Sequence, residues 1–466
     1  MNMKYNLRRP KYQVYYKEKQ RDFYGAAHCV PTPVTGGATM EQCLVLGSGL
    51  SGRAAVRLAR RIGLEPVMIS DGPEVDAGQA VAGYPLIVAS PGVKPLSSPL
   101  YRAAMRRIEA GEAELISELE FGYRALPAPR RLLAVTGTNG KTTTTELTCH
   151  LLQALGVKAV PAGNIGLPLS DIACDMLEGR LGPETLPVVE VSSFQLERIR
   201  DFAPVAAVLL NLESDHIDRY AGGLAEYKLV KFRIFQSVPA ENQLFGLSMT
   251  LPVGRRVTVE GHELLVDGKP LIDLTETRLD APHNRENLAA AVELVLRVVP
   301  AGQLFTPEFT RAVETFAPGR HRLETVAVRH GITFINDSKA TNPASVIAAL
   351  NSLPDPGSPN IVILLGGLDK GMDFSSLASQ AHRIKFAALF GECRARIAAA
   401  IGDAFPAADC GCDFRLAFDT ALKNAVPGDI MLLSPACASM DMFKDYKERG
   451  DRFTELARAG SGSTGR

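Results

Sequence analysis

The stretch Leu132-Leu133-Ala134-Val135-Thr136-Gly137-Thr138-Asn139-Gly140-Lys141-Thr142-Thr143 decides the fold. Leu132–Val135 read as a buried strand, and an apolar helix follows through Leu147, Leu151, Leu152 and Leu155. Glycines and a lysine between a buried strand and a helix form an anion cradle. Backbone N–H groups and the helix N-terminus wrap phosphates, Lys141 offsets the β/γ charge, and the Thr142 hydroxyl suits Mg²⁺. The spacing is G-x-x-G-K-T, two residues shorter between the glycines than the standard P-loop. The expectation is ATP held by Gly137, Thr138, Asn139, Gly140, Lys141, Thr142 and Thr143, with an ordinary turn as the alternative.

Downstream, Pro187-Val188-Val189-Glu190-Val191-Ser192-Ser193 reads as a strand buried on both faces. A carboxylate there is costly unless a cation pairs with it; an edge strand with a solvated Glu190 is the other reading. The next strand, Val205–Leu210, leads to Asn211-Leu212-Glu213-Ser214-Asp215-His216. Ligands of open parallel sheets sit beyond the carboxyl ends of the strands. Glu190 and His216 are therefore expected near the phosphates, as Mg²⁺ ligands or their supports. A helix over Gly222–Phe235 carries Lys228 and Lys231, surface lysines by pattern alone. Asn287 precedes an apolar helix, Leu288–Val298, and reads either as its N-cap or as a residue facing a nucleotide.

Upstream lies a second strand–loop–helix. Cys43–Leu46 enters Gly47-Ser48-Gly49-Leu50-Ser51-Gly52, then a helix over Ala54–Ile62, then a strand Pro66–Ser70 ending at Asp71. G-x-G-x-x-G with an acid about 20 residues on is a dinucleotide fingerprint, the glycines admitting a diphosphate and the carboxylate a ribose hydroxyl. The block ends near Arg130, at the linker Pro127-Ala128-Pro129, and so spans half of a full dinucleotide fold. A nucleotide diphosphate site is expected, with NAD as the competing reading.

A third block starts after Pro318-Gly319-Arg320-His321-Arg322. Three strands, Ile332–Ile335, Ile361–Leu365 and Ile430–Leu433, each end in a small polar loop: Asn336–Pro343, Gly366–Gly371 and Ser434–Ser439. This again describes an α/β sheet with ligand loops along one edge. Cys437 lacks a nearby His and sits among small residues, so packing is its expected role.

The 466 residues suggest about three domains, at roughly 150 each. A hydrophobic share of 46% excludes a wholly disordered chain. A net charge of zero argues against bulk nucleic-acid binding. No apolar run of about 18 residues occurs, so no membrane span is expected. The eight cysteines are scattered, and Cys410-Gly-Cys412 has no second pair, so reduced thiols in a cytoplasmic protein are expected. Residues 1–39 differ from the rest, with seven basic and two acidic residues, five tyrosines and the Pro/Thr/Gly-rich Pro31–Thr39. They are expected to be a mobile tail or the product of an unused upstream start codon, with a basic targeting segment as the rival.

Several of these motifs resemble the Mur ligases of peptidoglycan synthesis. Thr136–Thr142, the Gly163-Asn164-Ile165-Gly166 turn and Asp215-His216 match the family at large. Glu190–Leu196, Asp215–Tyr220, Asn336–Asn342 and Ser434–Asp441 match the members that add D-glutamate. The resemblance runs from about Met40 to the C-terminus. It implies an α/β protein of three domains. These are an N-terminal Rossmann-like UDP-substrate domain (40–130), a central P-loop ATPase-type domain (131–317) and a C-terminal Rossmann-like amino-acid-binding domain (318–466).

The implied activity is ATP-dependent amide formation between UDP-N-acetylmuramoyl-L-alanine and D-glutamate through an acyl phosphate, in a cytoplasmic monomer serving cell-wall biogenesis, cell shape and division. The resemblance implies Thr142 and Glu190 on one Mg²⁺ and His216 on a second. Lys231, in Tyr-x-x-x-Lys, would carry a CO₂-derived carbamate supporting the metal site. Asn164 would contact phosphate or substrate, and Asn287, Arg322 and Asp337 would line the ATP site. Lys339, Thr341, Lys370, Ser439 and Tyr446 match D-glutamate-binding positions; the family often has Phe at the last. Leu50, Ser51, Asp71 and Gly92 match the uridine-nucleotide site, although Gly72-Pro73 replaces the common Thr-Arg. The catalytic set so implied is Lys141, His216 and Lys231.

Three other readings stay open. One is a ligase of the same superfamily adding another residue or extending folate with glutamate. Another is an NAD-dependent oxidoreductase built on the first loop, which leaves Gly137–Thr142 unexplained. The third is a non-enzymatic nucleotide switch.

Overall fold

The computed structural model describes residues 42–459, apart from 214, 216–218, 250–254 and 318. The reading of residues 1–39 and the metal role expected of His216 lie outside the described residues. Two compact units emerge. The first holds the described residues up to Leu212 with Ala225–Asp280 and Asn284–Phe316; the second holds Glu213–Leu224, Ala281–His283 and the described residues from Ala317 on.

In the first unit, strands β1 (Gln42–Leu46), β2 (Glu65–Ile69), β3 (Leu86–Ala89) and β4 (Glu114–Ser117) form a parallel sheet in the order β2-β1-β3-β4. A second parallel sheet holds β5 (Leu133–Thr136), β6 (Ala159–Gly163), β7 (Leu186–Glu190), β8 (Ala206–Leu209) and β9 (Gln243–Phe245), in the order β6-β7-β5-β8-β9. The decisive strand β5 is thus central, and all four of its residues are buried. Leu133 and Val135 meet Leu147, Leu151, Leu288 and Val292 in one core, so the helices Lys141–Ala154 and Pro282–Val295 cover the same face. A small antiparallel sheet, β10 (Val257–Glu260), β11 (Glu263–Val266) and β12 (Lys269–Asp273), adds Val257, Leu264 and Ile272 to that core.

The two parallel sheets are joined by buried carboxylates on the helix Glu118–Ala125. Glu120 is wholly buried and accepts the N–H groups of Arg200, Asp201 and Phe202 at 2.8–3.0 Å, together with Arg124 Nε at 2.8 Å. Four donors to one carboxylate offset much of its desolvation. Glu118, equally buried, accepts only the Ser170 N–H within 2.8 Å at one oxygen; its other oxygen has no partner among the described residues. Burial pushes the Glu118 carboxyl up to about 7.

The second unit contains β13 (Glu324–Arg329), β14 (Ile332–Asn336), β15 (Ile361–Gly366), β16 (Ile384–Phe390), β17 (Ala407–Asp409) and β18 (Ile430–Ala436), in the order β13-β14-β18-β15-β16-β17. Only β13 runs antiparallel. β15 and β18 are buried throughout because helices cover both faces, giving two cores with alternate residues of each strand. Among the described residues no helix is long and apolar enough to cross a membrane.

Candidate functional site

Three groups of expected residues are built by loops at strand ends. The phosphate loop leaves β5 at Thr136, and the helix Lys141–Ala154 begins directly after Gly140. Its backbone is strapped from the side. Thr138 N–H donates to the Asn211 carbonyl at 3.1 Å, Asn139 N–H to Asn211 Oδ1 at 2.8 Å, and Asn211 Nδ2 returns to the Asn139 carbonyl at 3.2 Å. Thr138 Oγ1 shares a hydrogen with the Tyr227 hydroxyl at 3.0 Å. Gly140 is left-handed, φ +81°, and a Cβ there would lie 2.2 Å from Asn287 Oδ1, so only glycine fits. Lys141 Nζ donates to the Gly137 and Thr138 carbonyls at 3.0 and 2.7 Å, which fixes the ammonium across the loop.

Glu190 ends β7, an interior strand, and is 2% exposed; the edge-strand reading fails. Neutral donors hold its carboxylate: Thr142 Oγ1 donates to Glu190 Oε2 at 2.7 Å and Asn164 Nδ2 to Oε1 at 2.8 Å. Thr142, Asn164 and Glu190 are therefore one hydrogen-bonded group at the helix N-terminus. Thr143 is buried beside it in the first helical turn.

The surface reading of Lys231 and the capping reading of Asn287 both give way to burial. Lys231 is 2% exposed, on the helix Gly223–Phe232. Its Nζ approaches Thr136 Oγ1 at 3.4 Å and lies 5.1 Å from the Tyr227 ring centre. Asn287 is no N-cap, because its helix starts five residues earlier at Pro282, a residue suited to the first turn. It is buried, and its Oδ1 accepts from Thr144 Oγ1 at 3.3 Å under the phosphate loop.

The first glycine loop opens differently. It borders a cavity of about 650 Å³ whose walls include Leu50, Ser51, Asp71, Ser90, Gly92 and Lys94. The four expected uridine-site residues therefore share one cavity. Leu50 is largely exposed and starts the helix Leu50–Arg61. Asp71 Oδ1 accepts the Leu100 N–H at 3.1 Å, tying the loop after β2 to the helix Pro99–Glu109.

In the second unit, Asp337 follows β14 and is buried. Ser434 Oγ donates to its Oδ2 at 2.7 Å and Leu323 N–H to its Oδ1 at 3.3 Å. Burial pushes its carboxyl up to about 7, opposed by those bonds and by the charge of nearby Arg322. His321 and Leu323, on either side of Arg322, both have positive φ, +65° and +44°. Backbone in that region is strained for non-glycine residues and recurs at ligand sites.

Lys339 Nζ lies 4.9 Å from the Tyr446 ring centre, a cation–π contact joining two of the expected amino-acid-binding positions. Ser439, 1% exposed, has no partner for its hydroxyl among the described residues. Thr341 follows Lys339 in the loop after β14 and is half-buried, while half-buried Lys370 lies in the separate loop after β15. The loops after β14 and β18 are held by Arg449, whose guanidinium is wholly buried. It donates to Ser338 Oγ (3.0 Å), the Ser338 carbonyl (2.8 Å) and the Cys437 carbonyl (3.0 Å), so it clamps the loops after β14 and β18 together. Burial lowers its pKa to about 10.

Sequence reasoning missed Arg449, because it sits in a run of charged residues that reads as a solvated helix face. It also missed the structural parts of Asn211, which carries no pattern of its own, and of Tyr227, which entered only as the start of Tyr-x-x-x-Lys. Cys437 is buried, as packing requires.

Two parallel sheets, one ending in a strapped phosphate loop and the other in a glycine loop on its own cavity, define a nucleotide-using α/β protein. The Mur ligase middle domain matches residues 135–252, and the Mur ligase glutamate ligase domain matches residues 321–437. The chain belongs to the Mur ligase family. It is 37% identical to the UDP-N-acetylmuramoylalanine–D-glutamate ligase of Frankia casuarinae, over 90% of this chain and 94% of that one. It is 31% identical to the enzyme of the same name from Aquifex aeolicus, over 89% and 97%. Of solved structures, UDP-N-acetylmuramate-alanine ligase MurC from Thermotoga maritima aligns with a TM-score of 0.54 at 16% identity, covering 90% of this chain and 99% of its own. That likeness bears on the fold alone.

Proposed function

We propose that this protein joins D-glutamate to UDP-N-acetylmuramoyl-L-alanine in an ATP-dependent reaction of cytoplasmic peptidoglycan precursor synthesis. The observation that carries the reading is the phosphate loop fused to the Thr142–Glu190–Asn164 group, in a chain whose full-length relatives bear that ligase name. Three domains, 40–130, 131–317 and 318–466, are supported by a separate sheet in each, parallel in the first two and parallel except for β13 in the third.

The substrate carboxylate attacks the γ-phosphorus of ATP, forming a C–O–P linkage as ADP leaves. The amine of D-glutamate then attacks the acyl carbon, loses a proton, and the C–O bond to phosphate breaks. Two anions must meet in the first step. Lys141, fixed across the loop, and the N-terminus of Lys141–Ala154 offset their repulsion, while the N–H groups of Gly140–Thr143 supply donors; those of Thr138 and Asn139 are spent on Asn211. The hydroxyl of Thr142 and the carboxylate of Glu190 are hard oxygen donors side by side, with Asn164 orienting the latter, and they fit Mg²⁺. Bound there, Mg²⁺ would neutralise phosphate charge. His216 is proposed for a second ion. Lys231, buried under the loop, is proposed to carry a carbamate, which would turn a cation into an anion facing that region.

Asn287 would read or brace the nucleotide, and Arg322 and Asp337 would complete the ATP site. Leu50, Ser51, Asp71 and Gly92 would hold the uridine nucleotide. Lys339, Thr341, Lys370, Ser439 and Tyr446 would receive D-glutamate. Exclusion of water protects the acyl phosphate from hydrolysis. The partners are these two substrates, with no nucleic acid and a monomeric chain.

The test is a product assay with UDP-N-acetylmuramoyl-L-alanine, ATP, Mg²⁺ and a panel of D- and L-amino acids. D-glutamate alone should yield the amide with matching ADP. Release driven by L-glutamate or a diamino acid instead assigns another ligase of the superfamily. NAD binding without UDP-nucleotide binding assigns an oxidoreductase.

A further inference from the structure

The cavity beside Gly47–Gly52 poses a charge problem. The residues expected to hold the uridine nucleotide there are Leu50, Ser51, Asp71 and Gly92, a set with one anion and no cation. A nucleoside diphosphate brings at least two negative charges. Backbone N–H groups and a helix N-terminus answer with partial charges only. Among the described residues lining this cavity, one is cationic, Lys94, and one anionic, Asp71. The neighbouring Arg53 is committed elsewhere: its Nη1 donates to the Ser48 carbonyl at 2.6 Å, and it lines a different pocket.

Lys94 stands on a prepared turn. The segment leaves β3 and is pinned by Val93 N–H to the Ser90 carbonyl at 3.1 Å. The Lys94 carbonyl accepts from Ser98 N–H at 2.9 Å and from Ser97 N–H at 3.3 Å. Ser98 in turn caps the helix Pro99–Glu109, its Oγ accepting the Tyr101 N–H at 3.0 Å. The main chain is thus held while the side chain is exposed at the cavity wall, where its four-carbon stem gives the ammonium reach.

We propose that Lys94 supplies the cationic contact to the diphosphate of the UDP-sugar substrate and so sets the affinity and salt dependence of that site. This rests on the substrate reading above. Asp71 and Lys94 then divide the ligand: the carboxylate takes neutral hydroxyl or N–H donors, and the ammonium takes the anion.

Titration calorimetry on the full chain tests it, using UDP-N-acetylmuramoyl-L-alanine, UDP and uridine with the wild type, Lys94→Ala and Lys94→Arg. Lys94→Ala should weaken UDP and the UDP-sugar by about tenfold or more, as expected for a lost charge-assisted hydrogen bond. Its binding of uridine should stay within about twofold, its binding of ATP should be unchanged, and its salt dependence for UDP should be flatter. Lys94→Arg should keep most of the affinity. Equal binding of UDP by wild type and Lys94→Ala overturns the proposal. A loss that is the same for uridine and UDP also overturns it, since the lysine then serves the nucleoside. A wild type that binds no UDP nucleotide overturns the substrate reading as well.

Discussion

The first unit carries two strand–glycine-loop–helix turns, and they solve the anion problem in opposite ways. Gly47–Gly52 borders an open cavity, starts its helix with exposed Leu50, and has no basic residue within the loop. Gly137–Thr142 is strapped by Asn211, Tyr227 and Asn287 and holds its own lysine. The lesson concerns the task of each loop. A loop that only binds can leave charge to a neighbouring turn. A loop at which a phosphoryl group moves needs its cation fixed before the reaction, because electrostatic stabilisation depends on preorganised groups.

The largest effect expected from this contrast is at Lys141. Lys141→Ala should lower turnover by about a thousandfold, in the range seen when a preorganised electrostatic contact is removed. Thermal stability and UDP binding should be retained. Near-normal turnover would remove the distinction between the loops.

Lys231→Ala comes next, with a loss of about a hundredfold, as for an outer partner of a metal group. Small carboxylic acids should restore part of the activity by standing in for the carbamate. Unchanged activity without them rejects the role of Lys231.

A steric pair sharpens the comparison further. Gly140→Ala places a Cβ 2.2 Å from Asn287 Oδ1, and Gly52→Ala places one 1.9 Å from the Gly47 carbonyl oxygen. Each should cost about 1–3 kcal/mol of stability, measured by urea unfolding. The first should weaken ATP and spare UDP; the second should do the reverse. If both variants weaken both nucleotides alike, the loops are not separate sites.

The smallest effect concerns the joint between the two sheets. Burial raises the Glu118 carboxyl to about 7, so the folded state holds a proton that the unfolded chain releases near 4.5. Its contribution to stability is complete below about 4.5 and is lost as pH rises through about 7. Glu118→Gln should remove that loss and raise stability at pH 8 by on the order of 1–3 kcal/mol. It should change nothing near pH 4. An equal stability difference at both pH values contradicts the assignment.

Much of this was legible in the residues, for physical reasons. β5 and β15 are central strands, so uninterrupted apolar runs announce them. The glycine turns are legible because left-handed backbone and close approach leave few other choices. Two short edge strands were not legible: β9 and β17 have three residues each, too few to show a period. The antiparallel β10–β12 was missed because its alternation is broken by Gly261 and Gly268 turns and by Pro270 inside a strand. Burial of Lys231 and Arg449 was hidden for another reason. Charged residues are read as solvated, and only the fold brings the hydroxyls and carbonyls that make their burial tolerable. Asn287 shows a boundary error: its helix starts at Pro282, six residues before the expected Leu288, so the capping alternative fails and the residue lies under the phosphate loop.

The central claim is that ATP is used to make an acyl phosphate of the UDP-linked substrate. The direct test is to label both carboxylate oxygens of UDP-N-acetylmuramoyl-L-alanine with ¹⁸O, run the reaction with ATP, Mg²⁺ and D-glutamate, and weigh the released phosphate. One ¹⁸O per phosphate, in step with amide formed, is the predicted result. Phosphate free of label, whether or not ADP appears, would contradict it.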